Sequence, residues 1–565
     1  MPLAFGQVLP ATTTRFFIAY AVGSVSALLA YAFEVFSRIG SPQATPEAAA
    51  AYALLGGVAG GLASLVLGWL WGPGAATRAG LLTLIGFLLL QLLYFANVKI
   101  LPGEPYNSPT SFALDVLILV LVLVPPIWAL RSVWVKRARE RLSGTATVLG
   151  AALLLTQCGL LIRAWPDRAG RPPRTGEGPN LLLVVLDSVR RDHLSMYGYS
   201  QPTSPALLAL AREARLFEGA SSASSWTVPS MMHVLRAGED GRRGGGLAVR
   251  LARSGYRTGC FTDNPHLSPA SGITRGFDHV ERSVGRWRLF LRGTLLEEFV
   301  ERADPGSDRR LVTRALQWVG EAQGPVFLYV HLMKSHTPYT GPPIDRRRRK
   351  GRRIEFPLTG MSMTAEEAAD IVARYDGGIQ TADAEAGRLL EAARGWGRPF
   401  VAVVTADHGE SLGESGRWFH GGSLAPELLA VPLMVLGYGV RPGRVSPLVD
   451  SSSVPKTLLA AAGLPCSACA GSDLRASEGD GFAEGGLPPN LAYRMDDRYK
   501  VITDRTSGRR QLFDHVADPG ETRDLAAAQP ETAAALAARA GAPPGEEGPD
   551  PDEVARLRAL GYIGY

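Results

Sequence analysis

Charge and cysteine are both scarce in this 565-residue chain. Charged residues make up 20% of it, the formal net charge is +6, and there are four cysteines. A surplus this small offers no module for a nucleic-acid backbone, and none is expected as a partner. So few cysteines exclude a scaffold built from disulfides. Cys158 falls in an apolar run and Cys260 in a buried strand candidate, while Cys466 and Cys469 form a lone CSAC. That motif lacks the second pair a zinc ribbon needs, so it reads as a local disulfide outside the cytoplasm. The chain is too long for one core, which implies two or more domains.

Long apolar runs, by contrast, are plentiful in the first third. Four cover roughly 16–36, 51–71, 79–98 and 112–134, and a fifth covers about 145–163. Each approaches the ~20 residues that span a bilayer; a cleaved signal peptide would account for one run, not five. The fifth also fits a buried amphipathic helix. The loop holding Arg131, Lys136, Arg137, Arg139 and Arg141 reads as cytoplasmic, together with Arg15 and Arg78, and the loop with Glu104 as external. Arg163, Arg168, Arg171 and Arg174 mark topology and lipid headgroups. The expectation is an N-terminal multi-span α-helical membrane domain of about five helices over 1–165. A Pro/Gly/Arg-rich linker follows at 166–179, with all that follows on the outer face of a plasma or inner membrane.

The exported part alternates strands and helices. NLLLVVLDS from 180, GYRTGCFTDN (255–264), VFLYVHLMKSH (326–336), PFVAVVTADHGES (399–411) and VPLMVLG (431–437) are unbroken apolar strands, as in parallel sheets covered on both faces. Helices are expected at 204–217, after Ser204-Pro205, and at 364–394, opened by the capping box Thr364 to Glu367. The pattern predicts a doubly wound α/β domain over 180–515, with a tail over 516–565 packing on it or extending it.

In such sheets ligands bind beyond the carboxyl ends of the strands. Asp187, His331, His336, Asp407 and His408 all fall there. Two carboxylates and an imidazole suit a divalent metal ion, Zn²⁺, Mn²⁺ or Ca²⁺. In WTVPSMMH (226–233), Pro229 suits the first position of a helix, which puts Thr227 at its positive end. A hydroxyl beside a metal loses its proton more readily, and further histidines can bind an anion or protonate a leaving group. Together these roles describe in-line transfer of a phosphoryl or sulfuryl group through a covalent intermediate.

A string of motifs then carries a resemblance: VVLDSVRRDHLSMYGY (184–199), SWTVPS (225–230), GYRTGCFTDNPHLSP (255–269), HLMKSHTPY (331–339), RYDGGIQTAD (374–383), TADHGESLGE (405–414) and FHGG (419–422). VPLMVLG, LFDHVADPGETRDLA (512–526) and LRALGYI (557–563) follow. In this order they resemble the sulfatase branch of the alkaline phosphatase superfamily, over roughly two-thirds of the chain. The resemblance implies Asp187, Thr227, Asp407 and His408 as metal ligands, Thr227 as nucleophile, His336 beside the transferred group and His420 on the anion. His331 and Arg190 fall on family motifs as substrate-binding candidates; His331 also fits a satisfied core histidine, and Arg190 an ion pair with Asp192.

Departures bear on the chemistry. Formylglycine sulfatases need Cys or Ser at the nucleophile and an Arg where Met231 stands; oxidising threonine at Cβ gives a ketone, not an aldehyde. A threonine nucleophile resembles the phosphoethanolamine and phosphoglycerol transferases of the same superfamily. Lys334 replaces an acidic residue, Ser415 stands where a histidine is common, and the Gly/Arg-rich stretch 236–250 is short. The arginine run at 346–350, with Arg352 and Arg353, reads as a solvated loop or as a surface for anionic headgroups or polysaccharide. The expected function is metal-dependent hydrolysis or transfer of a phosphate or sulfate ester through Thr227, on lipid headgroups or glycans. The alternatives are a sulfuric ester hydrolase with an atypical nucleophile and an inactive membrane-bound binding or assembly protein.

Overall fold

The structure is a computed structural model that describes residues 176–540, apart from 237–245, 265, 268–272, 282–306, 338, 340–342, 345–363, 468, 470 and 488–489. The five apolar runs, most of the linker, the arginine run and the tail motif at 557–563 lie outside the described residues. Among those described, no helix is long and apolar enough to cross a membrane.

In chain order the first half comprises β1 (Asn180–Leu186), α1 (Pro205–Leu210), β2 (Arg215–Ser221), α2 (Thr227–Arg236), α3 (Leu247–Arg253), β3 (Arg257–Thr262), β4 (His279–Glu281), α4 (Ser307–Gly320) and β5 (Val326–Leu332). After these come α5 (Ala365–Ala393), β6 (Phe400–Ala406), a small ribbon of β7 (Ser411–Leu412) and β8 (Trp418–Phe419), α6 (Pro426–Leu429), β9 (Leu433–Gly437), β10 (Gly443–Asp450) and α7 (Ser453–Ala461). One sheet of eight strands runs β10-β2-β9-β6-β1-β5-β3-β4. β1 pairs in parallel with β5 on one side and β6 on the other. Its NLLLVVL is unbroken because both faces are covered and every residue is buried. Helices α1, α4 and α5 pack as one layer, and α2, α3 and α7 as a second.

Three expectations change. The VPLMVLG strand, β9, runs antiparallel to both β6 and β2, so the sheet is mixed rather than parallel. An apolar run reads the same in either direction, which is why the sequence is silent on it. The helix expected over 204–217 stops at Leu210, and Arg215 already opens β2. Helix α2 starts at Thr227, two residues before the expected proline start, and Pro229 occupies its third position, where a missing N–H still has no helical acceptor to lose. The capping box holds: Glu367 N donates to Thr364 Oγ1, and Thr364 N donates to Glu367 Oε2.

A second sheet follows: β11 (Phe482–Leu487), β12 (Leu491–Asp496), β13 (Tyr499–Asp504) and β14 (Arg510–Asp514), an antiparallel meander. α8 (Pro530–Ala538) packs on it through Ala533 and Leu536 against Val501 and Leu512. Cys466 and Cys469 are joined in a disulfide, as expected.

Candidate active site

Asp187 is the residue after β1, Asp407 and His408 are those after β6, and His331 is the penultimate residue of β5. Because the three strands are adjacent and parallel, their ends converge. All four side chains are buried. Asp187, His331 and Asp407 each bring a ligand atom within 4.8 Å of the others.

The carboxylates differ in their satisfaction. Asp407 Oδ1 accepts the backbone N–H groups of Ser188 and His408, each at 3.0 Å. Its Oδ2 is buried without a hydrogen-bond partner. That oxygen lies 3.4 Å from His408 Nε2 and 3.8 Å from His331 Nε2. An orphaned carboxylate oxygen in a dry site is destabilising unless a cation meets it. Asp187 Oδ2 accepts from Asn264 Nδ2 and faces His331 Nε2, both at 2.8 Å, and its Oδ1 accepts from Ser188 Oγ. Burial alone would raise the Asp187 pKa. The positive fields of His336, His331 and His408 outweigh it and hold the carboxyl well below its usual value.

Thr227 opens α2. Its Oγ1 is 3.4 Å from His408 Nε2 and accepts from Asn264 Nδ2 at 3.3 Å. His408 Nδ1 donates to the Gly409 carbonyl at 2.8 Å, which turns Nε2 toward Thr227 and Asp407. Tyr329 OH lies 2.6 Å from His331 Nδ1, so the second nitrogen of His331 is engaged too.

The remaining expected residues gather beside this centre. The His420 ring lies 4.4 Å from that of His408 and 5.0 Å from that of His336, centroid to centroid. His336 Nδ1 is held by the Thr337 carbonyl at 2.5 Å. The FHGG loop is pinned to the Thr227 loop by Gly421 N donating to Ser225 O. Glu410 lies under His420, Oε1 to Nδ1 at 2.9 Å, with Tyr339 OH donating to its other oxygen. Burial pushes Glu410 up to about 8, and burial with the nearby His336 pulls His420 down to about 4. At neutral pH the pair therefore holds its proton on the carboxyl, with a neutral imidazole above. Arg190 is spent on protein groups: it forks onto Asp192, reaches Glu414 at 2.5 Å and donates to Glu410 O. Its guanidinium braces the loop under His420, which bears out the Asp192 pairing.

Sequence reasoning passed over Asn264, although it stands two residues beyond the carboxyl end of β3. His266 N donates to its Oδ1, which turns Nδ2 toward Asp187 and Thr227. Glu410 was also passed over; an acid two residues beyond His408 in DHGE was the available signal.

Comparison with known proteins fits this geometry. The profile of the sulfatase family matches residues 179–464. Arylsulfatase K of Gallus gallus is 26% identical over 470 residues, covering 68% of this chain and 86% of its own. Phosphoethanolamine transferase EptA of Helicobacter pylori is 22% identical over 262 residues, 45% of this chain and 47% of the relative, so the chain spans about half of that protein. The phosphonate monoester hydrolase of Agrobacterium radiobacter superposes with a TM-score of 0.51 at 20% identity over 64% of this chain and 94% of its own, a likeness of fold. With the strand-end carboxylates, the α/β sheet and a profile match over half its length, this chain belongs to the sulfatase family.

Proposed function

We propose that the protein is a metal-dependent enzyme that hydrolyses or transfers phosphate or sulfate esters through a covalent intermediate on Thr227. The N-terminal apolar segment holds its catalytic domain on the outer face of a membrane. The observation that carries the reading is the orphaned Asp407 Oδ2, facing His408 Nε2 with Thr227 Oγ1 beyond it. Asp187, Asp407, His408 and Thr227 are the ligands of choice. His331 is the less suited imidazole, because its Nε2 is at hydrogen-bond distance from Asp187 Oδ2. A bound Zn²⁺, Mn²⁺ or Ca²⁺ would supply charge that eases loss of the hydroxyl proton and polarises the transferred group.

This chain's residues do the rest. Thr227 Oγ1 attacks phosphorus or sulfur from the first turn of α2, whose positive end favours the anion. Asn264 Nδ2 is within reach of the oxygen that joins Thr227 to the transferred group. His336 gives the departing oxygen a proton and then takes one from the attacking water or acceptor alcohol. His420, its Nδ1 bonded to Glu410, presents Nε2–H to the anion. Arg190 serves by holding Glu410 and Glu414 in place. EptA, whose name states transfer of phosphoethanolamine, and arylsulfatase K support the two ester classes.

The test is intact mass of the protein, with metal, after exposure to generic phosphate and sulfate esters, beside Thr227→Ala. A phosphate- or sulfate-sized adduct mapping to Thr227 and lost in the variant is expected, and its mass names the ester class. No adduct, no bound metal and no turnover would sink the reading and leave a binding protein of the same fold.

A further inference from the structure

Tyr375 lies in α5, 185 residues from Arg190 in the chain, and is fully buried. Its hydroxyl touches none of the groups of the proposed reaction. It bonds instead to the backbone of the loop after β1: it accepts from Arg190 N at 2.9 Å and donates to Ser188 O at 2.8 Å. One phenol thus bridges the two residues either side of Val189. This is the segment that begins with Asp187 and ends with the Arg190 fork. Its backbone is not at ease, since Ser188 sits at φ +60°, a region that residues with a side chain seldom occupy. Such a conformation persists only where surrounding groups over-determine it.

A second support comes from the neighbouring loop. Ser335 Oγ donates to Asp187 O at 2.6 Å. Gly378, one turn along α5 from Tyr375, makes the approach possible: a Cβ there would lie 2.3 Å from Lys334 O. Helix and loop therefore meet backbone to backbone, and from that contact Ser335 and Tyr375 grip the carbonyls of Asp187 and Ser188 in succession. A glycine inside a helix is otherwise destabilising.

We propose that Tyr375, seconded by Ser335, is a positioning residue that holds the strained loop so that the Asp187 carboxylate is set for a metal ion. The inference rests on the metal-site reading above. Groups that orient ligands from behind change metal affinity by roughly 10- to 100-fold when removed, and Tyr375→Phe takes away only the bridging oxygen.

The experiment titrates Mn²⁺ or Zn²⁺ into chelator-stripped full-length protein by calorimetry, with melting curves of the metal-free forms. Asp383→Ala serves as the comparison. It lies on the same helix and removes the acceptor of Ala206 N and Leu207 N, so it weakens the fold without touching the loop. Tyr375→Phe is expected to weaken metal binding about 10- to 100-fold, while Asp383→Ala, with a comparable loss of melting temperature, binds as the native protein does. At saturating metal, kcat of Tyr375→Phe should recover most of its loss, which a merely structural role would not produce. A Tyr375→Phe affinity within about twofold of native overturns the proposal. If that variant fails to fold, Ser335→Ala decides, and native affinity there overturns it equally. Asp407→Asn separates the two readings. If native protein binds no metal, or Asp407→Asn binds it equally well, the metal site itself falls and Tyr375 with it. If binding needs Asp407 but not Tyr375, only the positioning role falls.

Discussion

In the eight-stranded sheet β1 buries all seven of its residues, whereas β11 of the smaller sheet alternates buried and half-buried positions along Phe482–Leu487. The first pattern belongs to a strand covered on both faces, the second to one covered on one face. A strand sealed on both sides can place polar chemistry only where it ends, and Asp187, Asp407 and His408 stand just there. The meander has no such edge. Its buried lysine, Lys500, is tied to Leu424 O and Glu521, a fastening between chain segments. One sheet concentrates function at its rim, and the other spends its polar groups on cohesion.

Four substitutions test that contrast. Thr227→Ala should lower ester turnover by about 10³-fold or more with little change in melting temperature; a stability loss matching the activity loss would deny the rim its special role. Lys500→Met should do the reverse. It strands Glu521 in a buried site and leaves Leu424 O without its donor, at roughly 3 kcal/mol in denaturant unfolding, with turnover per folded molecule unchanged. Asp383→Asn should flatten one limb of the pH–stability curve. Burial pushes the Asp383 carboxyl up to about 6, above its usual 3.8, so the fold prefers the protonated form. Stability should therefore be greatest below pH 4, fall between about pH 4 and 6 by at most about 2–3 kcal/mol, and stay flat above. The asparagine variant keeps an acceptor for α1 without that slope. Smallest is Arg498→Ala. Its guanidinium is exposed, and the buried Asp514 it pairs with keeps the bonds from Val516 N and Ala517 N, so the melting temperature should move little.

Much of the rim was legible because a rule reads it directly. Unbroken apolar runs ending in Asp or His mark buried strands and their carboxyl ends, and Asp187, Thr227, His336, Asp407, His408 and His420 do converge. The capping box was legible for a similar reason, being a local exchange of hydrogen bonds. What escaped depends on distant partners. β9 reverses without any change in its hydrophobic pattern. Tyr375 reads as one more apolar residue of a helix until Ser188 and Arg190 are seen on its hydroxyl. Asn264 sits in plain view after β3, yet its purpose appears only with Asp187 and Thr227 beside it. The meander was missed because its strands are short and glycine interrupts the first of them: at Gly485 a Cβ would lie 2.0 Å from Ala223 O, so close packing, not strand preference, selects the residue.

The bond from Ser188 N to Asp407 Oδ1 joins residues 219 apart in the chain. Closing a loop of that length opposes folding by roughly 5 kcal/mol of chain entropy, which the pairing of β1 with β6 along Asn180–Leu186 helps to offset. A ribosome that has not yet released β6 has made a chain with Thr227, Asn264 and Asp187 but no assembled centre. The proposed centre is therefore complete only when β6 stands beside β1, late in the chain.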